Sequence, residues 1–143
     1  MAPLDPSAPD EIRIVAEGST LGNPLTAAIG VATLEILGRP GVYEQLHSFG
    51  RRLGDGLREA FARRGVTIQL TGVGPIVEFY VSETPVHDYR TALATDMRPK
   101  SVIAGGMRAH GIFGGGGRYN CSIAHGDAEL ALVLDAVEAI LAD

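Results

Sequence analysis

Apolar residues recur at three- and four-residue spacing over residues 41–64, and this is the clearest pattern in the chain. Charged residues occupy the positions between them, so one face of the segment is apolar and the opposite face is charged. The apolar positions are Val42, Leu46, Phe49, Leu53, Leu57 and Phe61. This spacing predicts a long amphipathic helix whose apolar face packs on a core.

A second helix is predicted immediately before it. Asn23 is a good N-cap and Pro24 suits the first helical position, while Gly38 and Pro40 end the segment. The helix between these signals is mostly apolar, with Leu25, Ala28, Ile29, Ala32 and Ile36.

Alternating apolar and polar residues predict a pair of strands after the long helix. The alternation covers residues 68–70 and 77–81, and the glycine-rich run at 71–75 separates the two segments. A period of two is typical of a strand with one buried face, and a glycine-rich break is typical of a turn. A hairpin or the edge of a meander is therefore expected.

The remaining patterns complete an order of α-α-β-β-α-α-β-α. Helical stretches are predicted at 86–96 and 99–110, a short strand at 118–123, and a closing amphipathic helix at 127–141. This order favours an α/β (α+β) fold in which a small antiparallel or mixed sheet has helices packed on one face. Residues 1–16 show no apolar period and are expected to form an extended lead-in.

Composition and charge narrow the class of partner. The 143 residues carry a net charge of -5 and a single lysine, Lys100, which we expect to be exposed at a helix start. Nucleic acids and membrane surfaces require a basic stripe, so neither is an expected partner. The single cysteine, Cys121, cannot form an internal disulfide, and no apolar run is long enough to span a bilayer. We expect a cytoplasmic protein.

Residues 17–28, EGSTLGNPLTAA, resemble a segment of the class III, fold-type I pyridoxal-phosphate aminotransferases. The similarity continues through both helices, and residues 117–125, GRYNCSIAH, resemble the segment before the last helix of these enzymes. It is strongest in the glutamate-1-semialdehyde 2,1-aminomutase branch. The resemblance implies that residues 17–143 form the C-terminal small domain, and that residues 1–16 are a remnant of the large domain.

The resemblance implies pyridoxal 5'-phosphate as the cofactor and places Gly18, Ser19 and Thr20 against its phosphate. A phosphate binds hydroxyl and backbone N–H donors, and glycine permits their close approach. The family has its threonine at the position of Ser19, with Thr20 one residue later here, so either hydroxyl could serve. Because the family's active site is shared by two subunits, a homo-oligomer or a large aminotransferase domain is the expected partner.

Arg118 lies where many enzymes of this family present an arginine to the substrate carboxylate. The forked guanidinium binds a carboxylate through two parallel hydrogen bonds, which a lysine cannot do. The resemblance thus implies that Arg118 binds an amino acid or keto acid. The alternative is a surface ion pair, for example with a carboxylate on the last helix.

No catalytic residue is expected in this chain. The family's Schiff-base lysine lies well upstream of the glycine-threonine pair, and none of the nineteen residues before Thr20 is a lysine. We therefore expect a fragment of an aminotransferase or aminomutase that is inactive alone. One alternative is a non-catalytic interaction module that self-associates or pairs with a full-length relative. A metabolite sensor, on fold analogy alone, is a third.

The other motifs favour structural roles. The glycines at 114–117 lack the lysine of a phosphate-binding P-loop and predict a flexible turn. The four histidines do not pair at metal-ligand spacing, so no metal site is expected. His125 is expected to cap or pack against the last helix, and Cys121 to be an unreactive buried thiol.

Overall fold

A computed structural model describes residues 18–113 and 117–142. These residues form five helices and three strands in the predicted order α-α-β-β-α-α-β-α. Contacts divide the chain into two units, Met1–Pro40 and Gly41–Asp143. The predicted lead-in at residues 1–16 lies outside the described residues.

The first unit contains helix α1, Pro24–Leu37, whose predicted limits are confirmed. The Asn23 side chain accepts hydrogen bonds from the backbone N–H groups of Leu25 (2.9 Å) and Thr26 (3.4 Å), which caps the helix. No residue of α1 is buried, although the helix is mostly apolar. Its large exposed side chains are Leu25, Ile29, Val31 and Leu34, each between 57% and 69% exposed.

The second unit contains seven elements. They are α2 (Val42–Ala62), β1 (Ile68–Thr71), β2 (Ile76–Val81), α3 (Tyr89–Leu93), α4 (Arg98–Ala109), β3 (Arg118–Asn120) and α5 (Asp127–Ile140). The strands form one antiparallel sheet in the order β1-β2-β3. The antiparallel alternative of the predicted sheet is thus the one observed.

The turn between β1 and β2 requires glycine. Gly72 has φ 106° and Gly74 has φ 58°, in the left-handed region that other residues rarely adopt. A Cβ on Gly72 would lie 2.1 Å from the carbonyl oxygen of Ile76, so this turn has no room for a side chain. The predicted hairpin is confirmed.

The core lies between one face of the sheet and helices α2, α4 and α5. Phe79 of β2 is fully buried, and its ring centroid lies 5.0 Å from that of Phe61 on α2. Large core side chains of this kind contribute about 1.5–3 kcal/mol each through burial. The buried apolar residues of α2 are Leu46, Phe49, Leu53, Leu57, Ala60 and Phe61. The amphipathic pattern therefore identified the packing face correctly.

The start of α3 and the end of β3 differ from the predicted boundaries. A helix cap interrupts the apparent pattern at α3, and a turn interrupts it after β3. Helix α3 begins only after Asp88, whose carboxylate accepts a hydrogen bond from the Thr91 N–H at 2.7 Å. Strand β3 ends at Asn120. The N–H of Cys121 still donates to the Pro75 carbonyl, but the chain then turns, with the His125 N–H donating to the Ser122 carbonyl.

Candidate functional site

The three residues predicted to face a phosphate form one turn ahead of α1. The Gly18 carbonyl accepts from the Leu21 N–H and the Thr20 carbonyl accepts from the Asn23 N–H, each at 3.1 Å. Gly18, Ser19 and Thr20 are all exposed. Neither hydroxyl has a hydrogen-bond partner among the described residues.

The donor set of this turn fits a phosphate. Ser19 and Thr20 are consecutive residues that each carry a hydroxyl group. Both residues are exposed, so a ligand can reach them. An anion accepts hydrogen bonds from hydroxyl groups, and those bonds are stronger than bonds between neutral groups.

Arg118, the predicted carboxylate-binding residue, is exposed on β3 in the second unit. Its Cα partner across the β2–β3 pair is Glu78. In the described part of the chain Arg118 makes no ion pair, with the last helix or elsewhere. It belongs to the second unit, whereas the turn at residues 18–20 belongs to the first.

Lys100 is buried, so the expectation of an exposed lysine was wrong. Only 4% of Lys100 is exposed. Its ammonium donates a 2.8 Å hydrogen bond to Oε1 of Glu78 and lies 3.4 Å from the centroid of the Tyr80 ring. The stem packs on Gly117, where a Cβ would lie 2.9 Å from Cγ of the lysine. The partners are distant in sequence, and no local pattern indicated them.

The lysine changes the electrostatics of this corner of the sheet. Burial acts to raise the pKa of Glu78, but the hydrogen bond and the charge of Lys100 outweigh it and lower this pKa, with a smaller contribution from Arg118. Burial, together with the neighbouring Glu78 carboxylate, raises the pKa of Tyr80. The carboxylate of Glu78 is therefore ionised and the phenol of Tyr80 neutral at neutral pH.

A cleft of about 450 Å³ lies beside β3, between α2 and α5. The Tyr119 hydroxyl is buried there without a hydrogen-bond partner among the described residues, and burial raises the pKa of this phenol to about 12. Burial also raises the pKa of the half-buried Cys121 thiol. A thiol with a raised pKa is a poor nucleophile, in agreement with the expected unreactive role.

His125, also in the wall of this cleft, has the packing role that the sequence indicated. Its ring lies 5.7 Å from the ring of Phe49, measured between centroids. Its Nδ1 accepts a hydrogen bond from the Ser122 N–H at 3.2 Å, which closes the turn before α5.

Residues 18–113 and 117–142 contain neither a cluster of metal ligands nor a single helix of membrane-spanning length and apolarity. No group of three or more histidine, cysteine or acidic side chains there is placed to hold a metal ion. No single helix there is long and apolar enough to cross a membrane, and α1 and α2 meet that requirement only when counted together across the break between them. The predicted flexible turn at 114–117 falls largely on residues 114–116, outside the described part.

The chain is similar in sequence to bacterial glutamate-1-semialdehyde 2,1-aminomutases. The protein from Desulfosudis oleivorans is 35% identical over 136 residues, which are 93% of this chain and 32% of that relative. The protein from Deinococcus radiodurans is 36% identical over 126 residues, 83% of this chain and 28% of the relative. The chain thus spans about a third of the length of the curated relatives it matches. No family model matches it.

Solved structures with the same fold are transaminases. A β-phenylalanine aminotransferase from Variovorax paradoxus matches with a TM-score of 0.76 at 24% identity, over 99% of this chain and 33% of that one. An ω-transaminase from Sphaerobacter thermophilus matches with a TM-score of 0.76 at 26% identity, over 90% of this chain and 30% of that one. The α/β fold of the chain is therefore the fold of one part of these larger proteins.

Proposed function

Because this chain belongs to the pyridoxal-phosphate-dependent aminotransferase family, we propose that it acts as the C-terminal small domain of an aminotransferase or aminomutase. The observation that carries the proposal is the 35% identity to an aminomutase over 93% of the chain. In this proposal the chain works against a large domain, within a cytoplasmic assembly of two subunits, and has no complete active site of its own.

The cofactor would be held through its phosphate by the turn at Gly18, Ser19 and Thr20. When bound, pyridoxal phosphate supplies the electron sink for chemistry at the carbon that carries the amino group. This chain supplies one or both hydroxyls as hydrogen-bond donors, and the absence of a side chain at Gly18 permits close approach of the phosphate to the backbone. Arg118 would bind and orient the carboxylate of an amino acid or keto acid through its two-pronged guanidinium.

The environment of Lys100 supports the proposed catalytic incompleteness of this chain. Lys100 is buried and bound to the Glu78 carboxylate, so its nitrogen is not a free nucleophile. We expect the folded chain, mixed with equimolar pyridoxal phosphate and reduced with borohydride, to show no adduct on Lys100 by peptide mass spectrometry. The same chain unfolded in urea is the control, because there Lys100 is released and should be labelled. Labelling of Lys100 in the folded chain would contradict the proposal.

The phosphate contact is tested in a chimera in which this chain replaces the matching third of the Desulfosudis oleivorans aminomutase. We expect the chimera to retain the cofactor. Removing the donating hydroxyl, by Ser19→Ala or Thr20→Ala, should weaken cofactor affinity roughly tenfold or more, because a hydrogen bond to a charged group is lost.

The matched control is Thr33→Ala. The Thr33 hydroxyl is also exposed, but it donates to the Ile29 carbonyl within α1 at 2.8 Å, so its loss should leave cofactor affinity unchanged. A chimera that binds no cofactor, or one in which Ser19→Ala, Thr20→Ala and the double variant all bind it as tightly as the parent, would contradict the assigned role.

A second candidate is a non-catalytic module that self-associates or pairs with a full-length relative. The observation in its favour is the exposed apolar surface of α1, since such surfaces mark interaction sites. Light scattering on the purified chain distinguishes the two candidates. Self-association through α1 predicts a dimer that Leu34→Glu dissociates, whereas a monomer that binds no apolar dye would exclude this candidate.

A further inference from the structure

Glu78 lies between two cations on the face of the sheet that is turned away from the core. Its neighbours Val77 and Phe79 are buried against the helices, so the Glu78 side chain lies on the opposite face. Lys100 reaches it from α4 at 2.8 Å. Arg118 is its partner across the strand pair, and side chains of directly opposed residues lie on the same face. One carboxylate therefore has two candidate ion-pair partners.

The difference in burial between Lys100 and Arg118 determines which of them pairs with Glu78. The Lys100 side chain is 5% exposed, whereas Arg118 is exposed to solvent. A buried ammonium has lost its water and needs a carboxylate, but an exposed guanidinium keeps its hydration without one. The Tyr80 ring stabilises the same ammonium from its face at 3.4 Å. Glu78 is therefore directed towards Lys100.

Arg118 is nevertheless close enough to compete. Its charge helps to lower the pKa of Glu78, although it forms no ion pair with that carboxylate. An arginine opposite a glutamate in an antiparallel pair forms a cross-strand ion pair readily when the glutamate is free. Without Lys100, Glu78 would turn to Arg118 and occupy its guanidinium.

We propose that Lys100 is a positioning residue that holds the Glu78 carboxylate away from Arg118 and so keeps the Arg118 guanidinium available to an anionic ligand. The inference rests on the proposed function in taking Arg118 as the carboxylate-binding residue. Gly117 makes the arrangement feasible, because the lysine stem passes over it where a side chain would obstruct it.

The test measures how fast phenylglyoxal modifies Arg118 in the full chain, by peptide mass spectrometry. Lys100→Met should slow this reaction roughly two- to fivefold, the population change that an exposed ion pair produces. The double variant Lys100→Met/Glu78→Gln should restore the original rate, because the competing carboxylate is gone. Glu78→Gln alone should leave the rate unchanged. Arg64, which is exposed in the turn after α2, is the internal reference in every sample.

Two results would overturn the proposal. An unchanged Arg118 rate in folded Lys100→Met would show that Glu78 does not compete for the guanidinium. A slow rate that Glu78→Gln fails to restore would show that the lysine acts only on the local structure. The double variant distinguishes a positioning role of Lys100 from a structural role. A structural defect caused by Lys100→Met would not depend on the Glu78 carboxylate, so E78Q would not restore the rate.

If Lys100→Met does not fold, a measurement on the unaltered chain shows whether the Glu78 carboxylate is bound by Lys100 or by Arg118. Coupling across the hydrogen bond between the Lys100 ammonium nitrogen and the Glu78 carboxyl carbon is expected in nuclear magnetic resonance spectra, and coupling from Arg118 to that carbon instead would overturn the inference. None of these readouts involves the cofactor. An accessible Arg118 that can be replaced in the chimera without loss of substrate binding would defeat the proposed role of Arg118 in binding the substrate carboxylate, and would leave standing the inference that Lys100 holds Glu78 away from Arg118.

Discussion

The Tyr119 hydroxyl is a buried polar group without a hydrogen-bond partner among the described residues. Such a group has given up its bonds to water and gained none, so it destabilises the folded chain. The hydroxyl is therefore a cost in stability for the isolated chain.

Replacing Tyr119 with phenylalanine should be neutral or stabilising by up to about 1 kcal/mol in urea unfolding, because the ring remains and only the unpaired hydroxyl is lost. The variant should also resist alkali better. The pKa of Tyr119 is raised from 10.0 in the unfolded chain to about 12 in the folded chain, so ionisation of this phenol destabilises the fold progressively as the pH rises from 10 through about 12, and phenylalanine cannot ionise. Tyr43→Phe, at an exposed tyrosine, is the control. A loss of more than 1 kcal/mol in Y119F would indicate a hidden partner.

Single residues were predicted well only where their partners are close in sequence. Asn23 and Pro24 were identified as a helix start because capping involves the next three residues. The burial of Lys100 was not predicted, because it depends on Glu78, Tyr80 and Gly117, which only the fold brings together. The resemblance named Arg118, but its relation to Glu78 required the strand register.

Two adjacent glycines in α4 differ in what surrounds them. A Cβ on Gly105 would meet no atom within 4 Å, whereas a Cβ on Gly106 would lie 2.5 Å from Cγ1 of Ile140 on α5. Gly106 thus allows the close approach of α4 and α5, and Gly105 has no such role.

The pair gives a matched test of helix packing. Gly105→Ala should stabilise the chain by roughly 0.5–1 kcal/mol, since alanine loses less backbone freedom in a helix. Gly106→Ala should destabilise it by about 1–2 kcal/mol, because displacing Ile140 outweighs the same gain. Thermal and urea unfolding measure both. Equal effects of the two substitutions would show that α4 and α5 do not pack as described.

At the level of elements, the order and type were predictable because each depends on a local period or cap. The long helix α2 was the easiest, since its apolar spacing persists over twenty-one residues. The limits of α3 were not predicted, because the Asp88 cap lies inside the apparent helical pattern. Nothing in the local pattern of α4 indicates that packing requires Gly106, because the side chain that Gly106 accommodates, Ile140, lies on another helix.

The described residues contain one core, and that core lies in the second unit. Every buried apolar residue found in the described part falls between Leu46 and Val137, and α1 contributes none. The stabilising burial of apolar surface is therefore concentrated after residue 40.

A chain that lacks residues 1–40 should fold by itself. We expect its unfolding midpoint to stay within a few degrees of that of the full chain, because no buried α1 side chain is removed. Circular dichroism with thermal unfolding measures this, and Leu57→Ala in the shortened chain is the control that should lose about 2–5 kcal/mol. Loss of cooperative unfolding in the shortened chain would show that the first unit stabilises the second.

The exposed apolar surface of α1 bears on how long this chain survives in a cell. Chaperones and proteases recognise apolar side chains left in water, and α1 presents several at more than half of their full exposure. A copy whose α1 is not covered would be degraded sooner than a copy in an assembly. Under the proposed function, the amount of this protein in the cell is then set by the amount of its partner domain. Raising the synthesis of this chain alone changes its amount little.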